Sequence, residues 1–140
     1  MQQVLVDEDN MVLRFDPDEE VISSFLEFVG ESGVDAALVS GIGSAKEVEL
    51  WYYDAPKKEY QKKVFGEPLE VVGISGNVGL FDGAPATHLH GLFSRSDYSV
   101  VGGHIHRLVV NMTVEIMLDT VGGELKREFD EETGLNLLTS

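Results

Sequence analysis

Apolar residues recur along this chain at two spacings, and the change from one to the other separates a short helical part from a long sheet part. Met11, Leu13 and Phe15 alternate with Val12 and Arg14, the period of two that a half-buried strand requires. Asp16-Pro17-Asp18-Glu19 follows. Asp16 suits an N-cap, Pro17 the first helical position and Glu19 the far side of an acidic capping box. Val21, Ile22, Phe25, Leu26, Phe28 and Val29 then lie on one helical face that ends near Gly30 and Gly33. Beyond residue 36 the period returns to two. Strands are predicted at 47–53, 69–80, 86–94, 100–106 and 109–119, the last with Val110, Met112, Val114, Ile116 and Leu118 on one face. Gly41-Ile42-Gly43 does not open a nucleotide-binding helix, because Lys46 stands at the third glycine position and strand-like sequence follows. A tight turn or bulge is the expected use of these glycines. One main helix flanking a largely antiparallel, twisted sheet makes an α+β fold, and residues 1–140 are expected to form a single compact domain.

Composition narrows the function classes. With 43% hydrophobic and 25% charged residues the chain can bury a real core. It has no cysteine, hence no thiolate ligand, no disulfide and no cysteine nucleophile. The first residues lack the basic and apolar regions of a signal peptide, and no apolar run reaches the length of a membrane span, so a cytoplasmic location is expected. Ten Lys+Arg against 25 Asp+Glu give a formal charge of -15, which repels phosphate backbones and anionic lipid. The one basic island, from Lys57 to Lys63, reads as a solvated loop or edge strand rather than a nucleic-acid contact.

The distinctive chemistry is histidine. His88-Leu89-His90 places two imidazoles on one face of a strand, and His104-Ile105-His106 repeats the pattern. Ser94-Arg95-Ser96-Asp97 between them is turn material. A hairpin centred on Asp97 sets His90 opposite His104 and His88 opposite His106, unless a bulge at Gly102-Gly103 shifts the register. Imidazole ligates zinc and other borderline divalent metals, and three histidines with an open fourth position are typical of catalytic zinc. The competing explanation is surface or hydrogen-bonded imidazoles without metal. Two His-x-His pairs holding every histidine of the chain favour metal. Other catalytic constellations are thin: Ser44, Ser75 and Ser94 lack a nucleophile elbow, and Glu115, a conceivable base or ligand-orienting partner, sits opposite the apolar alternation of its strand.

Residues 67–77 (Glu67-Pro68-Leu69-Glu70-Val71-Val72-Gly73-Ile74-Ser75-Gly76-Asn77), Thr87-His88-Leu89-His90 and Gly102-Gly103-His104-Ile105 together resemble the plant and prokaryote conserved (PPC) domain. Ser40-Gly41-Ile42-Gly43-Ser44 and Thr113-Val114-Glu115-Ile116 also fit, and the resemblance runs from about Val12 to Leu138. It implies a homotrimer of the free-standing prokaryotic type, with metal on His88, His90 and His104 and with His106 outside the pattern. Plant members carry an AT-hook and contact transcription factors. This chain has no AT-hook, and Glu67-Pro68 replaces the Gly-Arg of the plant interaction motif. Direct nucleic-acid binding is therefore not expected. The function expected is that of a homotrimeric module binding a divalent metal, zinc, with a regulatory or small-ligand role, its partner a small molecule or a protein. The alternative is a metalloenzyme using the three-histidine site for hydrolytic or Lewis-acid chemistry.

Overall fold

The alternation at residues 11–15 becomes strand β2 (Asn10–Phe15), with Leu13 and Phe15 fully buried, in a computed structural model that describes all of residues 1–140. β2 pairs antiparallel with β1 (Gln2–Val6). The helix α1 spans Val21–Ser32 and starts later than Asp16-Pro17 suggests. Asp18 takes a left-handed backbone, φ 73°, which a helix cannot continue through. The Asp16 N–H donates to the Glu19 carboxylate at 2.7 Å, so this acidic box closes a turn instead of capping the helix. Glu20 is the N-cap, accepting from the N–H groups of Ile22 at 3.1 Å and Ser23 at 2.8 Å. It also accepts from Leu108 N–H at 3.0 Å, which fixes the helix start to the sheet. Gly33, with φ 70°, ends the helix in the left-handed form that glycine tolerates. Val21, Phe25, Phe28 and Val29 are buried, and α1 packs on β6 and β7.

The remaining strands are β3 (Ala37–Asp54), β4 (Glu59–Phe65), β5 (Leu69–Phe81), β6 (Ala84–Ser94), β7 (Val100–Thr120), β8 (Lys126–Asp130) and β9 (Leu135–Thr139). Four of them close on themselves: β3 pairs β5, β5 pairs β6, β6 pairs β7 and β7 pairs β3. All strand pairings are antiparallel except β5 with β8, so the sheet is mixed. The basic island spans the β3–β4 turn, with Lys57 and Lys58, and β4, with Lys62 and Lys63; β4 pairs only with β3. No helix is long and apolar enough to cross a membrane.

Bulges explain where the simple alternation fails. β3 continues through Gly41-Ile42-Gly43 with a register shift against β5, so these glycines serve a bulge. Against β7, Gly43 pairs with Val114 and Ala45 with Val110, leaving Met112 in the irregular stretch. Met112 is accordingly 69% exposed, although Val110, Val114, Ile116 and Leu118 are buried as the alternation predicts. The Ser44 hydroxyl accepts from Met112 N–H at 3.1 Å and satisfies the backbone there.

Close backbone approach matters most between β5 and β6. A Cβ added at Gly76 would lie 1.9 Å from the His88 carbonyl oxygen. Gly76→Ala should therefore destabilise by about 1–3 kcal/mol, the usual range for overpacking. Gly66→Ala, in open space, should stay within about 0.5 kcal/mol. Urea unfolding followed by circular dichroism measures both. Equal midpoints for the two variants would contradict the packing of β5 on β6.

Candidate metal centre

The β6–β7 hairpin sets the site. His90 pairs with His104 and Ser94 with Val100, so the turn is centred on Asp97. The bulge considered at Gly102-Gly103 is absent from this ladder: Gly91 faces Gly103 and Leu92 faces Gly102. Leu89, Phe93 and Ile105 point into the core at 1%, 0% and 3% exposure. The alternation then turns His88, His90 and His104 to the opposite face. Across β6, His88 sits opposite Asn77 and His90 opposite Ser75 of β5.

The three imidazoles converge. Their ring centroids are 5.1, 5.4 and 5.6 Å apart, and one nitrogen from each lies within 4.8 Å of the other two. His88 Nε2 and His90 Nε2 are 3.2 Å apart. Tetrahedral zinc with Zn–N bonds of about 2.0–2.1 Å needs ligand nitrogens about 3.3 Å apart, so this pair already has the required spacing. His104 Nδ1 is buried without a hydrogen-bond partner, the kind of orphan that a cation or a bound ligand would satisfy. Burial, and next the neighbouring His88, push the His104 imidazole down to about 4. Burial first, then Arg127 and His90, lowers His88 as well. Both therefore favour the neutral form that ligates metal. The residues present fit a divalent cation.

His106 does not join them. β3 and β7 change register between Glu49/Leu50, which face Arg107 and Ile105, so His106 occupies the bulge. Its ring stacks on Trp51 at 4.0 Å and 17°. The expected facing of His88 and His106 is thus corrected: β6–β7 pairing stops at His90–His104. Glu115 is exposed, opposite Arg14 of β2 and Ile42 of β3, and no carboxylate belongs to the histidine group. In the basic island, Lys57 pairs with Asp54 at 2.9 Å and Lys62 lies 4.2 Å from the Trp51 ring centroid.

Sequence reasoning missed the other side of the site. A cavity of about 750 Å³ borders His88 and His104 and is also lined by Tyr60, Asn77, Phe81 and Arg127. Arg127 arrives from β8, whose sequence Lys-Arg-Glu-Phe-Asp has no apolar alternation to signal which side chain turns inward. Tyr60 comes from β4, its ring centroid 5.9 Å from that of His104. Burial raises its phenol, with Tyr53 adding to the effect.

The model of the Plants and Prokaryotes Conserved (PCC) domain matches residues 5–122. A metal-containing protein from Archaeoglobus fulgidus is 35% identical, with 100% of this chain and 99% of that one covered and a TM-score of 0.87. A plant- and prokaryote-conserved protein from Pyrococcus horikoshii is 26% identical over 100% of this chain and 98% of its own, also with a TM-score of 0.87. A candidate DNA-binding protein from Bacteroides thetaiotaomicron shares the fold at a TM-score of 0.93 and 24% identity, covering 96% of this chain and 94% of that chain. No curated protein matches the chain.

The lowered His104 value has a consequence for the metal-free protein. An unfolded histidine binds its proton near pH 6.5, whereas folded His104 resists protonation until about 4. Its contribution is complete above the unfolded value and declines as pH falls toward the folded one. Metal-free protein should lose stability between those limits, and His104→Gln should show a flatter dependence in the same window. Urea midpoints across this pH range test it; identical slopes for both proteins would refute it.

Proposed function

Because the chain belongs to the Plants and Prokaryotes Conserved domain family, we propose that it is a homotrimeric, cytoplasmic metal-binding module with a regulatory or small-ligand role. In this reading His88, His90 and His104 hold a divalent cation, zinc by preference. The observation that carries it is the convergence of three ring nitrogens within 4.8 Å, with no acidic residue to offer a harder, oxygen-rich site. The similarity to a metal-containing protein at 35% identity supports the same reading.

Association draws support from the outer face of the central strands. Leu38, Ile42 and Met117 are 55%, 50% and 39% exposed. Ser40 pairs with Met117 between Leu38 and Ile42 on β3, so the three share one face. An exposed apolar patch on paired central strands suits a subunit contact. Direct DNA binding draws no such support. The chain carries -15, and part of its basic island is engaged by Asp54 and Trp51.

A metalloenzyme is the second reading, and one observation favours it: the cavity of about 750 Å³ beside His88 and His104. A metal there would supply Lewis-acid polarisation. The protein's own contribution would be to hold neutral imidazoles and to exclude water along the apolar wall. No carboxylate in the histidine cluster stands ready as a general base.

Metal-free protein titrated with zinc should bind one ion per chain. The His88→Ala/His90→Ala double variant should lose that site while keeping the wild-type assembly state. Sedimentation equilibrium on the same samples should return about three times 15.4 kDa. Unchanged zinc stoichiometry in the variant contradicts the ligand assignment, and a monomeric mass contradicts the trimer.

A further inference from the structure

We propose that the cavity beside the histidines binds a small organic carboxylate, with Arg127 as its counter-charge. The arginine lies beyond the family match, which ends at residue 122. It is buried to 9% exposure and takes part in none of the ion pairs of the chain. Two of its nitrogens are engaged by neutral oxygens: one donates to the Asn136 carbonyl at 3.0 Å, the other to Asn77 Oδ1 at 2.6 Å. Nε is buried with no partner. A guanidinium offers five N–H donors, and an uncompensated buried cation is costly. If Arg127 only pinned the β8–β9 hairpin to β5, neutral acceptors would leave that charge unmatched.

Its position says what matches it. Arg127 lines the same cavity as His88 and His104. A carboxylate there would meet the guanidinium and lie beside the histidine-held cation. Phe81, Phe129 and Leu135 line the same cavity, which suits a hydrocarbon body. One guanidinium matches a single carboxylate, whereas a phosphate dianion would be left with one arginine in a chain of charge -15. The inference rests on the metal reading above for the second pole of the ligand, while the arginine contact stands on the geometry of β8.

Isothermal titration calorimetry with benzoate, and with benzamide as its uncharged counterpart, tests the assignment on zinc-loaded and metal-free protein. Metal content is measured on the same samples. Benzoate should bind and benzamide should not. Arg127→Gln should weaken benzoate about tenfold or more with zinc stoichiometry unchanged, and Arg127→Lys should recover part of the loss. Should Arg127→Gln fail to fold, the wild-type Arg127 Nε–H NMR signal gives the answer directly, because it must move on adding benzoate and stay fixed with benzamide. Equal affinity for acid and amide, undiminished benzoate binding by Arg127→Gln, an Nε–H signal that ignores benzoate, or no binding at millimolar benzoate overturns the inference. If zinc does not bind but Arg127-dependent benzoate binding persists, the metal reading fails and the carboxylate site stands.

Discussion

The pairing of His90 with His104 is the constraint from which the site follows. Every side chain of β6 and of the first part of β7 is committed to one face or the other once that pair is set. Leu89, Phe93 and Ile105 then fill the core, and three imidazoles gather outside it. A slip of β6 by one residue would bury His88 and His90 and expose Leu89 and Phe93. Burying such side chains stabilises by roughly 1.5–3 kcal/mol each, so the core holds the histidines in register. Closure of β3, β5, β6 and β7 on one another reinforces this, because β6 is gripped along both edges. The bare backbone of Gly76 against the His88 carbonyl is the tightest point of that grip.

Protonating these imidazoles beside a buried guanidinium is electrostatically unfavourable. Burial and mutual repulsion hold His88 and His104 below their ordinary range, while Arg127 lacks a carboxylate partner. A fold that concentrates such groups around one cavity, in a chain of charge -15, leaves a local deficit of negative charge. A cation on the imidazoles deepens that deficit and an organic anion relieves it. The two ligand poles proposed for the site are thus physically coupled, and each should favour the other.

The hairpin was legible because two local signals agreed: turn chemistry at Ser94–Asp97 and strict alternation through His88-Leu89-His90. The helix was legible as an apolar face, yet its start was not, since Asp18 turns left-handed and hands the cap to Glu20. Met112 obeys the period of two in sequence and leaves it in space, whereas His106 keeps its face but stacks on Trp51 instead of meeting His88. Each lies at a β3–β7 bulge, and a bulge depends on the partner strand. Arg127 could not be placed for a further reason. It reaches the site only because β8 runs parallel to β5 at Leu80 and Phe81, a long-range pairing with no periodic trace. The family resemblance helped with the histidines and assigned no role to Arg127.

The central claim, a cation held by His88, His90 and His104, is tested most directly by X-ray absorption at the zinc edge on zinc-loaded protein. The spectrum should show first-shell scatterers at about 2.0–2.1 Å, with the outer-shell features of three imidazole rings. A shell of oxygen scatterers without imidazole signature would contradict it.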